Sequence, residues 1–400
     1  MKKRLTAGFI TVFFLIASLM TVFAGGGADV ATTADEGDNV VAAVEYGKEV
    51  DAKSALLMEA SSGKILYEQN ADEQLPPASV TKTMTMLLVL EALDEGKIKL
   101  DDTVSVSENA ASMGGSQVFL EPGESMSVDE MLKCMIVASA NDAAVALAEF
   151  VYGSEAAFVA KMNERAAELG CKAHFENPTG LDDAVTDHTM SARDIAIISA
   201  EVIKHPIVYN YSTIWMDTIR GGAFGLTNTN RLIRFYNGAT GLKTGSTAKA
   251  KFCIAATAER NGMTLIAVIM AAPTRDIRNE AAKSLFDFGF ANYAVYEQEP
   301  TEYNDIYVAG GVNNSVKGVS EKFSIVVGKG DAAKIEKIED VPARLSAPVA
   351  KGEKIGTVTY TLDGKTVGTS DILADEAVDR IGFWDMFLKL GAWFLLCERK

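Results

Sequence analysis

The sequence predicts an α+β fold, one antiparallel sheet with helices packed on it, followed by a small all-β domain. Three observations carry this expectation. Strand-like runs stand near both ends of the first 300 residues and bracket a helical middle. Asn261-Gly262 separates two β-like runs, a strong hairpin signal. After Glu299 the texture changes to short β-like runs divided by turns. A chain of 400 residues is ordinarily two or three domains.

In chain order, Lys2, Lys3 and Arg4 precede the apolar run Phe9 to Ile16, and Val22-Phe23-Ala24 follows. This reads as a secretory signal over residues 1–24, cut after Ala24; an uncleaved membrane anchor is the alternative. Both put the working part outside the cytoplasm. No Cys follows the apolar run, which disfavours lipoprotein processing. Residues 25–50, rich in Gly, Ala, Asp and Thr, read as a flexible leader. Ser54–Met58 and Ile65–Tyr67 flank Ser61-Ser62-Gly63 and read as a hairpin. Helix is expected from about Ser79 to Leu93 and through 129–170, with a break near Ser139–Asp142. Strands follow at Phe252–Ala258 and Met263–Met270, then an amphipathic helix over 280–292. The resulting boundaries are 51–298 for the first domain, 299–374 for the β-rich domain and 375–400 for a last helix.

Composition narrows the function. With 38 Lys+Arg against 54 Asp+Glu, the net charge of -16 cannot neutralise many phosphates, so nucleic acid is not an expected partner. Cys134, Cys171, Cys253 and Cys397 form no CxxC, which excludes a zinc ribbon and a dense disulfide scaffold and leaves isolated buried thiols. The histidines, His174, His188 and His205, form no HExxH, and there is no GxSxG; a zinc hydrolase and a common Ser-His-Asp esterase are both disfavoured.

A serine can instead be activated by a neutral lysine one helical turn away. SxxK occurs three times, at Ser61/Lys64, Ser79/Lys82 and Ser246/Lys249. The first spans a hairpin turn and the third lies at a strand. Only Ser79/Lys82 opens a helix, just after Pro76-Pro77. That helix, Met84 to Leu90, is nearly all apolar and reads as buried, which would desolvate Lys82 and lower its pKa toward the range of a general base. A solvated lysine beside a capping serine is the plainer alternative. SxN occurs at Ser107-Glu108-Asn109, in a polar stretch, and at Ser139-Ala140-Asn141, between two apolar helices, where it could also be a simple cap. Lys243-Thr244-Gly245 occurs once, ahead of the hairpin strands; a strand-edge Lys with a neighbouring hydroxyl can bind a carboxylate, and Gly245 would let a substrate backbone approach. Each motif is modest alone. Their order and placement at element boundaries are the informative part, since SxxK, an SDN-type trio and KTG recur together in β-lactamases and penicillin-binding proteins.

On these residues the chain resembles a low-molecular-mass penicillin-binding protein, specifically a serine-type D-alanyl-D-alanine carboxypeptidase, over about residues 50–298 and on into the β-rich domain. Gly114-Gly115-Ser116, Asn177-Pro178-Thr179-Gly180-Leu181-Asp182, Asn228-Thr229-Asn230 and Ala272-Pro273-Thr274-Arg275 are similar to that family too. Lys249-Ala250-Lys251 departs from its usual Ala-Gly. The resemblance implies a penicillin-binding/β-lactamase-like fold with helices on both sides of the sheet. It implies that Ser79 attacks the carbonyl between two terminal D-alanines of a peptidoglycan stem peptide, with Lys82 accepting the proton, Ser139 relaying it to the leaving amine and Asn141 orienting Lys82. Lys243 and Thr244 would hold the terminal carboxylate, beside Gly245 and Ser246 and with help from Arg278. The N–H groups of Ser79 and Ser246 would form the oxyanion hole. No cofactor and no metal is implied, and β-lactam antibiotics become slow-leaving acylating ligands. A β-lactamase and a non-catalytic cell-wall binding protein are the competing readings. Ser-Ala-Asn in place of Ser-Asp-Asn, and the lack of a Glu-x-x-x-Asn loop near 160–185, weigh against the lactamase.

The last residues, 377–400, place Gly382, Asp385, Lys389 and Ala392 on one narrow helical stripe, with Asp385 and Lys389 spaced to pair and the rest of the surface largely apolar. Leu390 to Cys397 is too short to span a bilayer, so an interfacial anchor on the outer face of the cytoplasmic membrane is expected; a helix packed on the β domain is the alternative.

Overall fold

The computed structural model describes residues 44–182 and 186–397. The expected signal segment and most of the leader lie outside the described residues.

Five strands form one antiparallel sheet: β1 (Ser54–Glu59), β2 (Ile65–Gln69), β3 (Ala239–Thr247), β4 (Lys251–Arg260) and β5 (Met263–Ala272), in the order β2–β1–β5–β4–β3. The N-terminal hairpin thus joins strands from the far end of the domain. Asn261 and Gly262 both adopt positive φ in the β4–β5 turn, which matches the right-handed twist of the strands they join. β1 is buried along its whole length because the sheet is covered on both faces. Its alternate side chains divide accordingly. Leu56 and Met58 enter a core with Met84, Leu87 and Ile195, while Ala55 and Leu57 enter a second core with Leu285 and Phe286.

The first core is built on α1 (Lys82–Asp94), of whose 13 residues ten are buried. Around it stand α2 (Val128–Val137), α3 (Asn141–Tyr152) and helices at Glu155–Glu168 and Ala192–Ile203. The last of these had no counterpart among the sequence expectations. Its signal is a capping box, in which the Asp194 N–H donates to Ser191 Oγ and the Ser191 N–H to the Asp194 carboxylate. α4 (Arg275–Asn292) covers the other face and starts five residues before the expected 280, capped by Thr274. Its first turn is polar, so apolar periodicity does not reveal it.

Tyr293–Gln298, which the expected boundary left in the first domain, pairs with Phe323–Gly328. Beyond it, a six-stranded sheet runs Glu336–Asp340, Lys354–Leu362, Lys365–Ala374, Ser315–Ser320, Glu302–Ala309, Leu345–Ser346. Phe323 stacks on Tyr360 at 3.9 Å between ring centroids. α5 (Phe383–Cys397) leaves Phe383, Trp384, Phe387 and Leu388 exposed. The expected Asp385–Lys389 pairing is absent: Lys389 donates to Asn314 Oδ1 (3.0 Å) and the Gly311 carbonyl, and Asp385 accepts from the Gly382 N–H. Gly382, Asp385, Lys389 and Ala392 are all exposed, and of this stripe the Lys389 amine reaches back to the β domain. Among the described residues no single helix is long and apolar enough to cross a membrane.

Candidate active site

Pro76 and Pro77 lead into a 3₁₀ turn, Ala78–Thr81, that ends where α1 begins. This puts Ser79 and Lys82 one turn apart, with Lys82 Nζ 3.1 Å from Ser79 Oγ. Lys82 is completely buried, and its amine also reaches Asn141 Oδ1 (2.5 Å) and the Thr179 carbonyl (2.9 Å). The last two are acceptors only. A neutral amine can donate its two N–H bonds to them and turn its lone pair to the serine hydroxyl. Burial drives the Lys82 pKa well below the usual lysine range, the nearby charge of Lys243 adds to this, and Asp142 opposes it.

The break between α2 and α3 supplies the second group. Ser139 takes a left-handed φ of 62° there and lines the cavity above Ser79. Asn141 opens α3. Its N–H donates to the Ser116 carbonyl and its Nδ2 to the Gly114 carbonyl, both at 2.7 Å. Those bonds fix the amide so that Oδ1 faces Lys82. The neighbouring Asp142 is buried too, and accepts the N–H groups of Val118 and Leu120.

The third group lies on β3, at the sheet edge. Lys243 is buried with Nζ on the Thr244 carbonyl (2.9 Å), and its pKa falls to about 7 through burial, with repulsion from Arg278 second. Thr244 Oγ1 donates to Thr229 Oγ1 (2.8 Å). Gly245 has a reason absent from the sequence reading. A Cβ there would meet Pro77 O at 2.7 Å and Ser79 N at 2.9 Å, so it is this chain's own nucleophile turn that needs the glycine. Arg278 is buried, with its guanidinium on Asn279 Oδ1 and the Cys253 carbonyl; burial, then Arg275, holds its pKa near 10.

Ser79, Ser139, Thr244, Gly245, Ser246 and Arg278 line one cavity of about 400 Å³. Lys82 and Asn141 join it through the bond to Ser79 and the bond between them, and Lys243, buried and not itself a lining residue, bonds the carbonyl of the lining residue Thr244. The decoys are elsewhere: Ser61 is bound by Glu59 in the β1–β2 turn, and Ser107 caps the short helix Glu108–Ala111 and donates to Glu149.

Several supporting groups had no role assigned from sequence. Asn177 Oδ1 accepts the N–H groups of Thr179 and Gly180, which aims the Thr179 carbonyl at Lys82. Gly180 packs so tightly on the nucleophile turn that a Cβ would fall 1.8 Å from Ala78 O. Asp182 accepts from Thr247 Oγ1 at the end of β3. His188 Nδ1 accepts the Glu176 N–H, so its Nε2 carries the proton toward Thr81 Oγ1 (2.8 Å). Burial lowers the His188 pKa to about 4, which keeps that tautomer neutral. The clue in the sequence was the Asn177–Asp182 stretch, but backbone acceptors leave no residue-type signature. Among the described residues no three His, Cys, Asp or Glu side chains converge to hold a metal.

A family model described as D-alanyl-D-alanine carboxypeptidase matches residues 39–274. The chain belongs to the D-alanyl-D-alanine carboxypeptidase family. A second model, for the C-terminal domain of penicillin-binding protein 5, matches residues 290–380 of this carboxypeptidase. D-alanyl-D-alanine carboxypeptidase DacF of Bacillus subtilis is 45% identical to it, covering 86% of this chain and 90% of the relative. Penicillin-binding protein 5 from Haemophilus influenzae shares its fold with a TM-score of 0.73 at 34% identity, over 83% of the carboxypeptidase and 99% of the neighbour. Penicillin-binding protein D2 from Listeria monocytogenes, solved in its ampicillin-bound form, matches 60% of this chain and 98% of its own, at 33% identity and a TM-score of 0.55.

Proposed function

We propose that this carboxypeptidase removes the terminal D-alanine of peptidoglycan stem peptides through an acyl-enzyme on Ser79. The observation that carries the reading is the buried, desolvated Lys82 amine at 3.1 Å from Ser79 Oγ with two pure acceptors on its other side. In the first step Ser79 Oγ bonds to the penultimate carbonyl carbon while its proton passes to Lys82. The N–H groups of Ser79 and Ser246 take the oxyanion. Ser139 passes a proton to the leaving nitrogen as the peptide C–N bond breaks, which frees D-alanine. Water then attacks the ester, and Ser79 regains its proton. Lys243 and Thr244 hold the terminal carboxylate until D-alanine leaves, with Arg278 behind them. Penicillins present a carboxylate and a reactive amide to the same groups and acylate Ser79, as the ampicillin-bound Listeria relative suggests by analogy.

Among the described residues no Asp or Glu lines the cavity, so none of these supplies a carboxylate to activate water in the manner of a β-lactamase. This favours slow deacylation of penicillin. The exposed aromatic face of α5 would anchor the protein at a membrane surface, on the outer side of the cytoplasmic membrane if the expected signal directs export. The deciding experiment is D-alanine release from purified wall peptides, with labelled penicillin in parallel. Release together with a long-lived adduct supports the reading. Rapid penicillin turnover points to a lactamase, and no adduct to a binding protein.

A further inference from the structure

We infer that Arg231 and Arg275 form an outer anion station at the cavity mouth, which captures the substrate's terminal carboxylate before Lys243 and Thr244 take it. Among the described residues the cavity lining holds Arg231, Arg275 and Arg278 and no Asp or Glu, in a chain with 54 acidic residues against 38 basic ones. Arg278 is buried and committed to neutral acceptors. Arg231 and Arg275 are exposed, and among the described residues neither has a carboxylate within 4.0 Å. Other arginines of the domain are spent differently: Arg165 pairs with Glu91, Arg193 with Glu68, Arg220 with Glu124 and Arg260 with Asp287, and Arg234 lies over Trp215. Asp276 and Glu280 border an adjoining hollow that Arg231 shares, and Glu280 is engaged by Lys283.

Both guanidinium groups stand on fixed backbone. Asn230 donates its N–H to Asn228 Oδ1 and its Nδ2 to the Gly241 carbonyl, and accepts the Leu232 N–H, which pins Arg231 beside β3. Arg275 is the first residue of α4, one turn before Arg278 and on the same face. A cation at a helix N-terminus works against the macrodipole. Without an ion pair to offset that cost, Arg275 adds to the positive potential of the mouth. A protein of net charge -16 repels an anion at long range. A positive mouth with low-dielectric walls reverses this locally and enriches carboxylates. The terminal carboxylate is the charge a D-Ala-D-Ala peptide must deliver to Lys243, and the freed D-alanine leaves carrying one.

This inference rests on the carboxypeptidase reading, and the test separates the two. Steady-state D-alanine release from an N-acylated tripeptide ending in D-Ala-D-Ala, whose only charge is the terminal carboxylate, is followed from about 0.01 M to about 1 M salt, where the Debye length falls from about 30 Å to about 3 Å. For the unaltered protein, KM should rise about tenfold across that range while kcat holds, the low end of electrostatic enrichment. The double variant Arg231→Gln/Arg275→Gln should start with KM about tenfold higher at low salt and respond little to salt. Arg231→Lys/Arg275→Lys should restore the salt response. A Gln double variant with the unaltered salt response, or one that loses kcat at constant KM, overturns the inference. An unaltered protein that releases no D-alanine at any salt overturns the carboxypeptidase reading and the inference with it.

Discussion

Replacing Lys82 with arginine separates proton transfer from charge. Arginine can donate to Asn141 Oδ1 and the Thr179 carbonyl, the two fixed acceptors of the native amine, yet it stays protonated at any working pH. Losing a general base costs about 10²–10⁴ in rate, or roughly 3–5 kcal/mol in the barrier. Lys82→Ala loses the same base. It also strands the two acceptors, at about 1–3 kcal/mol of stability each. The second-order rate of acylation by labelled penicillin, read with thermal unfolding of each variant, distinguishes the effects. Both variants should acylate at least about 10²-fold more slowly, with the larger loss of stability in Lys82→Ala. A folded Lys82→Arg within tenfold of the native rate would refute the base role and leave Lys82 an electrostatic one.

Lys243 should impose the opposite pH limb. With its pKa lowered to about 7 by burial and Arg278, it loses the charge that holds a carboxylate as pH rises through that value, so kcat/KM should fall above about pH 7. Lys243→Arg should keep part of the activity and lose that decline; an unchanged alkaline limb in the pH profile would contradict the assignment. Deleting residues 377–400 should move the protein from membrane to soluble fractions with its D-alanine release intact, and detergent but not salt should release the full chain. A truncated form that stays bound would point to an uncleaved signal, and one that unfolds would put α5 in the β-domain core.

The parts of the site legible in the sequence were those written in side-chain types at fixed spacing. Ser79 and Lys82 stood out because three-residue spacing after a Pro-Pro entry puts them on one face of a buried helix. Ser139, Asn141 and Lys243 stood out because each marks the edge of an element. A single antiparallel sheet drawn from both ends of the domain followed from the Asn261-Gly262 hairpin and the strand-like runs there; its strand order did not. What stayed hidden depends on backbone and on long-range approach. The Thr179 carbonyl has no side-chain signature, and the reasons for Gly180 and Gly245 appear only when both pack on the turn bearing Ser79. The Thr229–Thr244 and Thr81–His188 bonds join residues far apart in the chain. The helix at Ala192–Ile203 and the first turn of α4 announce themselves by caps more than by apolar period.

The most direct test of the account is where penicillin attaches. The protein is treated with labelled penicillin and digested, and the modified peptide is sequenced by mass spectrometry. The account expects one adduct, on Ser79, that vanishes in Ser79→Ala and persists in Ser61→Ala and Ser107→Ala. An adduct on another serine, or one that survives Ser79→Ala, would contradict it.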